Sequence, residues 1–424
     1  MDNLYLTMYD YISNLKIIDT HEHLPSYPHL NNVNSDIINE VLSIYLEDDL
    51  MAAGIPMDDW CFIKNSKNDF HERWARLQPF WEFCYNTGYF RMIRKALKGI
   101  YGVEDLNAEN LDQVNAQFLE LQKRDRYEDI LKNACNIEYV VLDVIDCNMD
   151  VDRRYFKPVI RANALILPCS AQDVENLEML AGFSICSFSD WLDACTIYLE
   201  DAYSKGAVGI KNSLAYMRGI SYKRETFYDA EKSFNETFFK FRTVPRWENR
   251  TISLGEAAQN YIMHHILQFA EKKKLVYQIH TGELAGGPNY INMSDPALMT
   301  NLFIEYPHVT FDIMHIGYPY FRTLAAIAKM FPNVYIDMCW AHMLSPKSSI
   351  ESLSEYLDSV PHNKILAFGG DSHIIDGSYG HLMLARENVA TVLAEKVACG
   401  AYTLEKAKEI AENIFYNNPK RIFG

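Results

Sequence analysis

GEAAQNYIMHHILQFAEKKKLVYQIH, residues 255–280, joins a helical stretch to a short β-rich run that ends in a histidine. The same unit recurs along the chain. VTFDIMH (309–315), NVYIDM (333–338) and ILAFGGD (365–371) lie downstream, each followed by a segment with helical character such as TLAAIAKMF or ENVATVLAEKVA. Upstream stand YVVLDVID (139–146), PVIRANALIL (158–167) and AVGIK (207–211), with LKIIDT (15–20) near the start. Strands alternating with helices imply a parallel sheet. Eight such units predict closure into a (β/α)8 barrel rather than an open doubly wound sheet, whose Gly-rich strand-to-helix turn is absent.

Two stretches interrupt the rhythm. Residues 25–135 read as a large, mostly helical and unusually aromatic insertion after strand 1, and 213–252 as a smaller loop insertion after strand 4. Loops that follow barrel strands build the active-site face, so both are expected to wall a pocket within one barrel domain spanning 1–424. The length suits a barrel of about 250 residues plus insertions.

A net charge of −16 argues against binding to nucleic acid or anionic membranes, which takes clustered Lys and Arg. No stretch is long enough to span a bilayer, and the first residues lack a basic segment before an apolar run. Nine Cys without a CxxC pair point to a reducing, cytoplasmic setting. Oligomeric state is left open, a homo-oligomer included.

The chemistry concentrates at strand ends. His21 and His23 in DTHEH lie two residues apart on an extended backbone, so both imidazoles face the same way and reach one metal ion. His280 and His315 each close a later strand. Asp371 ends the last one, where a carboxylate can ligate a metal and take a proton from water. The Gly pair before it permits close backbone approach. Lys211 ends AVGIK. Among cation ligands it makes sense as a carbamate bridging two metals, as a free amine gripping a substrate carboxylate, or as an ordinary surface Lys. Arg218, Glu283, Tyr318, Trp340 and His373 follow strand ends and are candidates for touching substrate. His264 and His265 read as structural, and Asp143 and Asp146 as helix caps.

The ordered set His21, His23, Lys211, His280, His315, Asp371 resembles the ligand pattern of the amidohydrolase superfamily, and AENIFYNNPKRIFG (411–424) resembles its closing helix. GIKNSLAYMRGI (209–220), IHTGE (279–283), HIGYPY (315–320) and NVYIDM resemble the branch holding the amidohydrolase-like domains of glutamine-synthetase-like fusion proteins and the uronate isomerases. In those relatives an A-Y-R-like segment follows the Lys; here Met217 intervenes and shifts Arg218 by one.

The resemblance implies one or two divalent metals, usually zinc, with Asp371 taking a proton from water that attacks a carbonyl-type carbon. Uronate isomerases generally lack the fourth-strand Lys, so Lys211 favours a hydrolase cleaving an amide, lactone or related C–N or C–O bond of a small, carboxylated molecule. The alternatives are a sugar-acid isomerase or a decarboxylase on the same site, and a non-catalytic metal-binding barrel.

Overall fold

The computed structural model describes residues 2–30, 34–145, 148–244, 251–287 and 289–424. Asp146 and residues 245–250 of the second insertion lie outside them. The eight strands are β1 (Ile17–Glu22), β2 (Ile137–Asp143), β3 (Phe156–Arg161), β4 (Gly209–Asn212), β5 (Val276–Ile279), β6 (Phe311–Ile313), β7 (Val334–Asp337) and β8 (Ile365–Leu366). They pair in parallel in chain order. The ends of the sheet meet through backbone bonds: Thr20 N–H donates to the Phe368 carbonyl (3.1 Å), Asp371 N–H to His21 (2.8 Å) and His23 N–H to Ser372 (3.0 Å). Every strand of the TIM barrel expected from the periodicity is therefore present.

The largest difference in strand boundaries is at β3. β3 stops at Arg161, and Asn163–Ile166 form a helical turn instead of extending the strand. The Asn163 side chain binds Ser213 twice, accepting from its N–H (3.0 Å) and donating to its Oγ (2.8 Å), which turns the chain away from the ladder.

Inside the barrel, Ile18, Tyr139, Val141, Val159, Val276, Leu366 and the C-terminal Phe423 form an apolar plug below the strand ends. Outward-facing residues such as Ile17, Val140, Ile160, Ile210 and Ile313 pack under the helices. The 25–135 insertion is helical, as expected, and builds its own core. Ile37, Trp60, Trp74, Phe90 and Ile93 join Met314, Cys339, Trp340 and Ile374 from the β6, β7 and β8 ends. Burying each such side chain is worth about 1.5–3 kcal/mol, so this apolar contact holds the insertion over the barrel mouth. The segment 213–252 is not loop throughout: it carries the helix Phe227–Thr243, whose Phe234 and Phe238 pack against Trp191.

A buried polar cluster fixes how the insertion docks. Arg126 pairs with Asp376, and the Tyr101 hydroxyl donates to the same carboxylate (2.5 Å). Beside them Glu40 accepts from Asn34 (2.8 Å). Burial, with the Asp376 charge, pushes Glu40 up to about 8. The unfolded chain loses this proton near the ordinary carboxylate pKa while the fold keeps it. The stability that Glu40 contributes is therefore full in acid and falls as pH rises from about 4.5 to 8. Glu40→Gln should reduce that fall by up to about 1.4 kcal/mol per pH unit, read from denaturant titrations at pH 5.5 and 7.5. An unchanged slope would contradict the buried, protonated Glu40.

Candidate metal centre

Strained backbone marks the barrel mouth. His315, Trp340 and Asp371, in the loops just beyond the ends of β6, β7 and β8, all have left-handed backbones (φ 65, 63 and 51°), as does the β-branched Ile316 (φ 51°). Such conformations disfavour L-residues by roughly 1–2 kcal/mol each and persist only where packing enforces them. Here they fall at the strand ends that carry His315 and Asp371.

Partners set the tautomers of the first pair. His21 Nδ1 faces the Gln278 side-chain oxygen (3.4 Å), and His23 Nδ1 faces the Asp143 carbonyl (3.4 Å). Both are acceptors, so both Nδ1 atoms carry the proton and both Nε2 atoms present lone pairs. Those two Nε2 atoms stand 3.4 Å apart, with Asp371 Oδ1 3.5 Å from His21 and 3.2 Å from His23. Three lone-pair donors converging without a proton between them repel one another. Donors about 2.0–2.1 Å from a tetrahedral ion stand about 3.3–3.4 Å apart, so this triangle fits a divalent metal.

The second pair has a proton deficit. His280 Nε2 faces the Glu283 carbonyl (2.8 Å), His315 Nδ1 faces the Cys339 carbonyl (3.1 Å), and the inner nitrogens face each other at 2.9 Å. Two neutral rings carry two protons for three gaps. A third proton is opposed: burial pushes His280 well below its ordinary range and His315 down to about 4, with Lys211 adding to both effects. If the outer nitrogens bind the carbonyls, the inner two become lone-pair donors for a cation. His315 Nδ1 also lies 3.8 Å from Asp371 Oδ2. His21, His23 and Asp143, and separately His315, Cys339 and Asp371, each offer ligand atoms within 4.8 Å of one another.

Burial acts to raise the Asp371 carboxyl, but the surrounding imidazoles of His23, His315 and His21 outweigh it and hold it well below the usual range. Burial lowers Lys211, whose Nζ lies against the Met314 sulfur (2.6 Å). The Lys211 charge acts on His21, His280 and His315 alike.

A cavity of about 460 Å³ opens on this centre, lined by His23, Lys211, His280 and Asp371 together with Asp143, Arg161, Tyr45, Tyr216 and His373. Of the five candidate substrate contacts only His373 is among its lining residues; it stacks on His23 (ring centroids 5.0 Å). The Arg218 guanidinium is spent on Gln259 (2.6 Å), Asn260 (3.1 Å) and the Ser221 carbonyl (2.9 Å), a structural lock outside the cavity. Glu283 and Tyr318 bind each other through backbone, Glu283 N–H donating to the Tyr318 carbonyl (2.8 Å). Trp340 is buried behind His315 and Tyr45.

Sequence reasoning missed Arg161 and Asp143, which pair at 2.7 Å on the cavity wall. Arg161 reads as mid-strand when β3 is run to 167. The rule that singled out Lys211, a charged residue closing a strand, finds Arg161 once β3 ends there. Asp143 caps no helix; it closes β2 beside His23.

Residues 182–424, more than half of the chain, match the amidohydrolase family model, and the chain belongs to that family. Over 237 residues it is 29% identical to protein fluG of Emericella nidulans, a match covering 53% of this chain and 26% of that protein. The chain thus matches about a quarter of the length of this curated relative. Among solved structures, the uronate isomerase of Thermotoga maritima superposes with a TM-score of 0.80 at 16% identity, covering 100% of this chain and 97% of the other. The glucuronate isomerase of Caulobacter crescentus gives 0.78 at 18% identity, covering 99% and 94%. At these identities the likeness establishes the fold alone.

His21→Ala removes one corner of the donor triangle. Metal per chain, measured by elemental analysis after dialysis against a weak chelator, should fall sharply. Unchanged metal content would exclude His21 as a ligand.

Proposed function

We propose that the protein is a metal-dependent hydrolase that cleaves an amide, lactone or related C–N or C–O bond of a small carboxylated molecule. The observation carrying this reading is the triangle of His21, His23 and Asp371 donors at 3.2–3.5 Å, with Asp371 on the cavity wall. A divalent ion held by His21, His23 and Asp371 would supply Lewis-acid polarisation and lower the pKa of bound water.

The protein's own groups supply the rest. Asp371, ionised at neutral pH, accepts a proton from the attacking water and returns it to the leaving group. Its place is fixed by its own N–H on the His21 carbonyl and by the Tyr45 hydroxyl, which donates to its carbonyl (2.7 Å). Arg161 presents a cation held by Asp143 and Ser213, suited to a substrate carboxylate. Burial pushes the Lys211 amine toward the neutral form, which is the form that adds to CO2: an N–C bond would form, a proton would leave, and the carbamate would be an anion able to bridge two cations.

A sugar-acid isomerase is the second reading. A 112-residue stretch 30% identical to the uronate isomerase of Thermotoga neapolitana favours it. Metal-replete protein should release product from N-acyl amino acids or lactones and leave uronates unconverted; the reverse result would install the second reading.

Two variants test the roles. Asp371→Asn keeps the shape and removes the proton acceptor, so kcat should fall by about 10² or more in metal-replete protein. Near-full kcat would leave Asp371 a ligand at most. Reconstituting metal-free protein with and without bicarbonate tests Lys211. Bicarbonate dependence and two metals per chain are expected; one metal and no dependence would remove the carbamate.

A further inference from the structure

Beneath the donor triangle lies a chain of buried polar groups that touches neither cavity nor solvent. Gln278 on β5 has both amide hydrogens committed, one to the Thr20 carbonyl (3.0 Å) and one to Asp312 Oδ2 (2.9 Å). Its oxygen is therefore turned toward His21 Nδ1. Asp312, on β6, in turn meets Asp337 at the end of β7. Asp337 Oδ1 accepts the Cys339 N–H (2.8 Å). All three side chains are fully buried.

Among the described residues, two oxygens of this polar chain find no hydrogen-bond donor: Asp312 Oδ1 and Asp337 Oδ2. A buried carboxylate oxygen without a donor is expensive, and two such acids in contact cannot both be ionised at low cost. One proton held between them satisfies both oxygens. Burial works the same way, pushing Asp312 up to about 6 and Asp337 well above the carboxylate range.

We propose that Asp312 and Asp337 share a single proton and act, through Gln278, as positioning residues that fix the tautomer of His21 and so aim its Nε2 at the metal. The logic runs outward from the acids. With one proton between them, Asp312 Oδ2 remains an acceptor and holds the Gln278 amide. The amide cannot flip, because its oxygen would then face the Thr20 carbonyl. Gln278 thus offers His21 only an acceptor, the His21 proton stays on Nδ1, and Nε2 stays free. Groups that orient a metal-binding imidazole in this way typically influence metal affinity by about 10–100-fold.

The parity of donors and acceptors gives the test, which rests on His21 being a ligand. Asp312→Asn can mimic the shared proton: its oxygen accepts from Gln278 while its amide donates to Asp337. The double variant Asp312→Asn/Asp337→Asn sets an amide donor against an amide donor and breaks the chain. Zinc affinity should be measured by competition with a chromophoric chelator, alongside thermal unfolding of the metal-free proteins to confirm that each folds. Asp312→Asn should stay within about threefold of the parent, while Gln278→Leu, Asp312→Leu and the double variant should each weaken zinc by about 10–100-fold. Parent-like affinity in Gln278→Leu would overturn the positioning role. Equal losses in Asp312→Asn and Asp312→Leu would overturn the shared proton. His21→Ala, measured in parallel, separates these failures from failure of the metal site itself.

Discussion

The hydrogen bond from Asp371 N–H to the His21 carbonyl is the constraint on which the rest depends. It belongs to the seam where β8 returns to β1, and it sets the chain's last strand-end acid beside its first strand-end histidines. Gly369 and Gly370 make the approach possible. A Cβ on Gly370 would lie 1.8 Å from Glu22 Oε1, and one on Gly369 would lie 2.6 Å from Thr20 Oγ1. Barrel closure and site assembly are thus one event: the bonds that end the sheet also bring the metal donors together.

Around that seam the barrel keeps an unusual density of buried acids. Asp19 accepts from the N–H groups of His21 (3.1 Å) and Gly370 (3.0 Å), tying β1 to the β8 loop. Glu22 accepts from Ser372 N–H (2.5 Å). Alone, such groups would destabilise the fold. Placed beneath converging lone pairs, they hold backbone and imidazoles in the one arrangement that has use for a cation. Stability given up here is recovered in the apolar plug below and in the core of the helical insertion above.

Much of this was legible in the sequence because the barrel repeats one rule eight times. His280, His315, Lys211 and Asp371 could each be read from the residue type that closes an apolar run, and His21 with His23 from the period of an extended backbone. Arg161 was obscured because PVIRANALIL is apolar well past the true strand end, which is set by the bonds between Asn163 and Ser213 across 50 residues. Gln278, Asp312 and Asp337 were invisible for a different reason. Each is a polar residue on a strand, and its meaning lies in neighbours on other strands that only register reveals. A family-like neighbourhood drew attention to Arg218, whose guanidinium is held by Gln259, Asn260 and the Ser221 carbonyl.

The most direct measurement is anomalous diffraction from crystals grown with zinc. A strong peak is expected within coordination distance of Nε2 of His21, Nε2 of His23 and Oδ1 of Asp371, with both Nδ1 atoms still on Gln278 and the Asp143 carbonyl. No peak at that triangle, or either imidazole bound through Nδ1, would contradict the assembly described here.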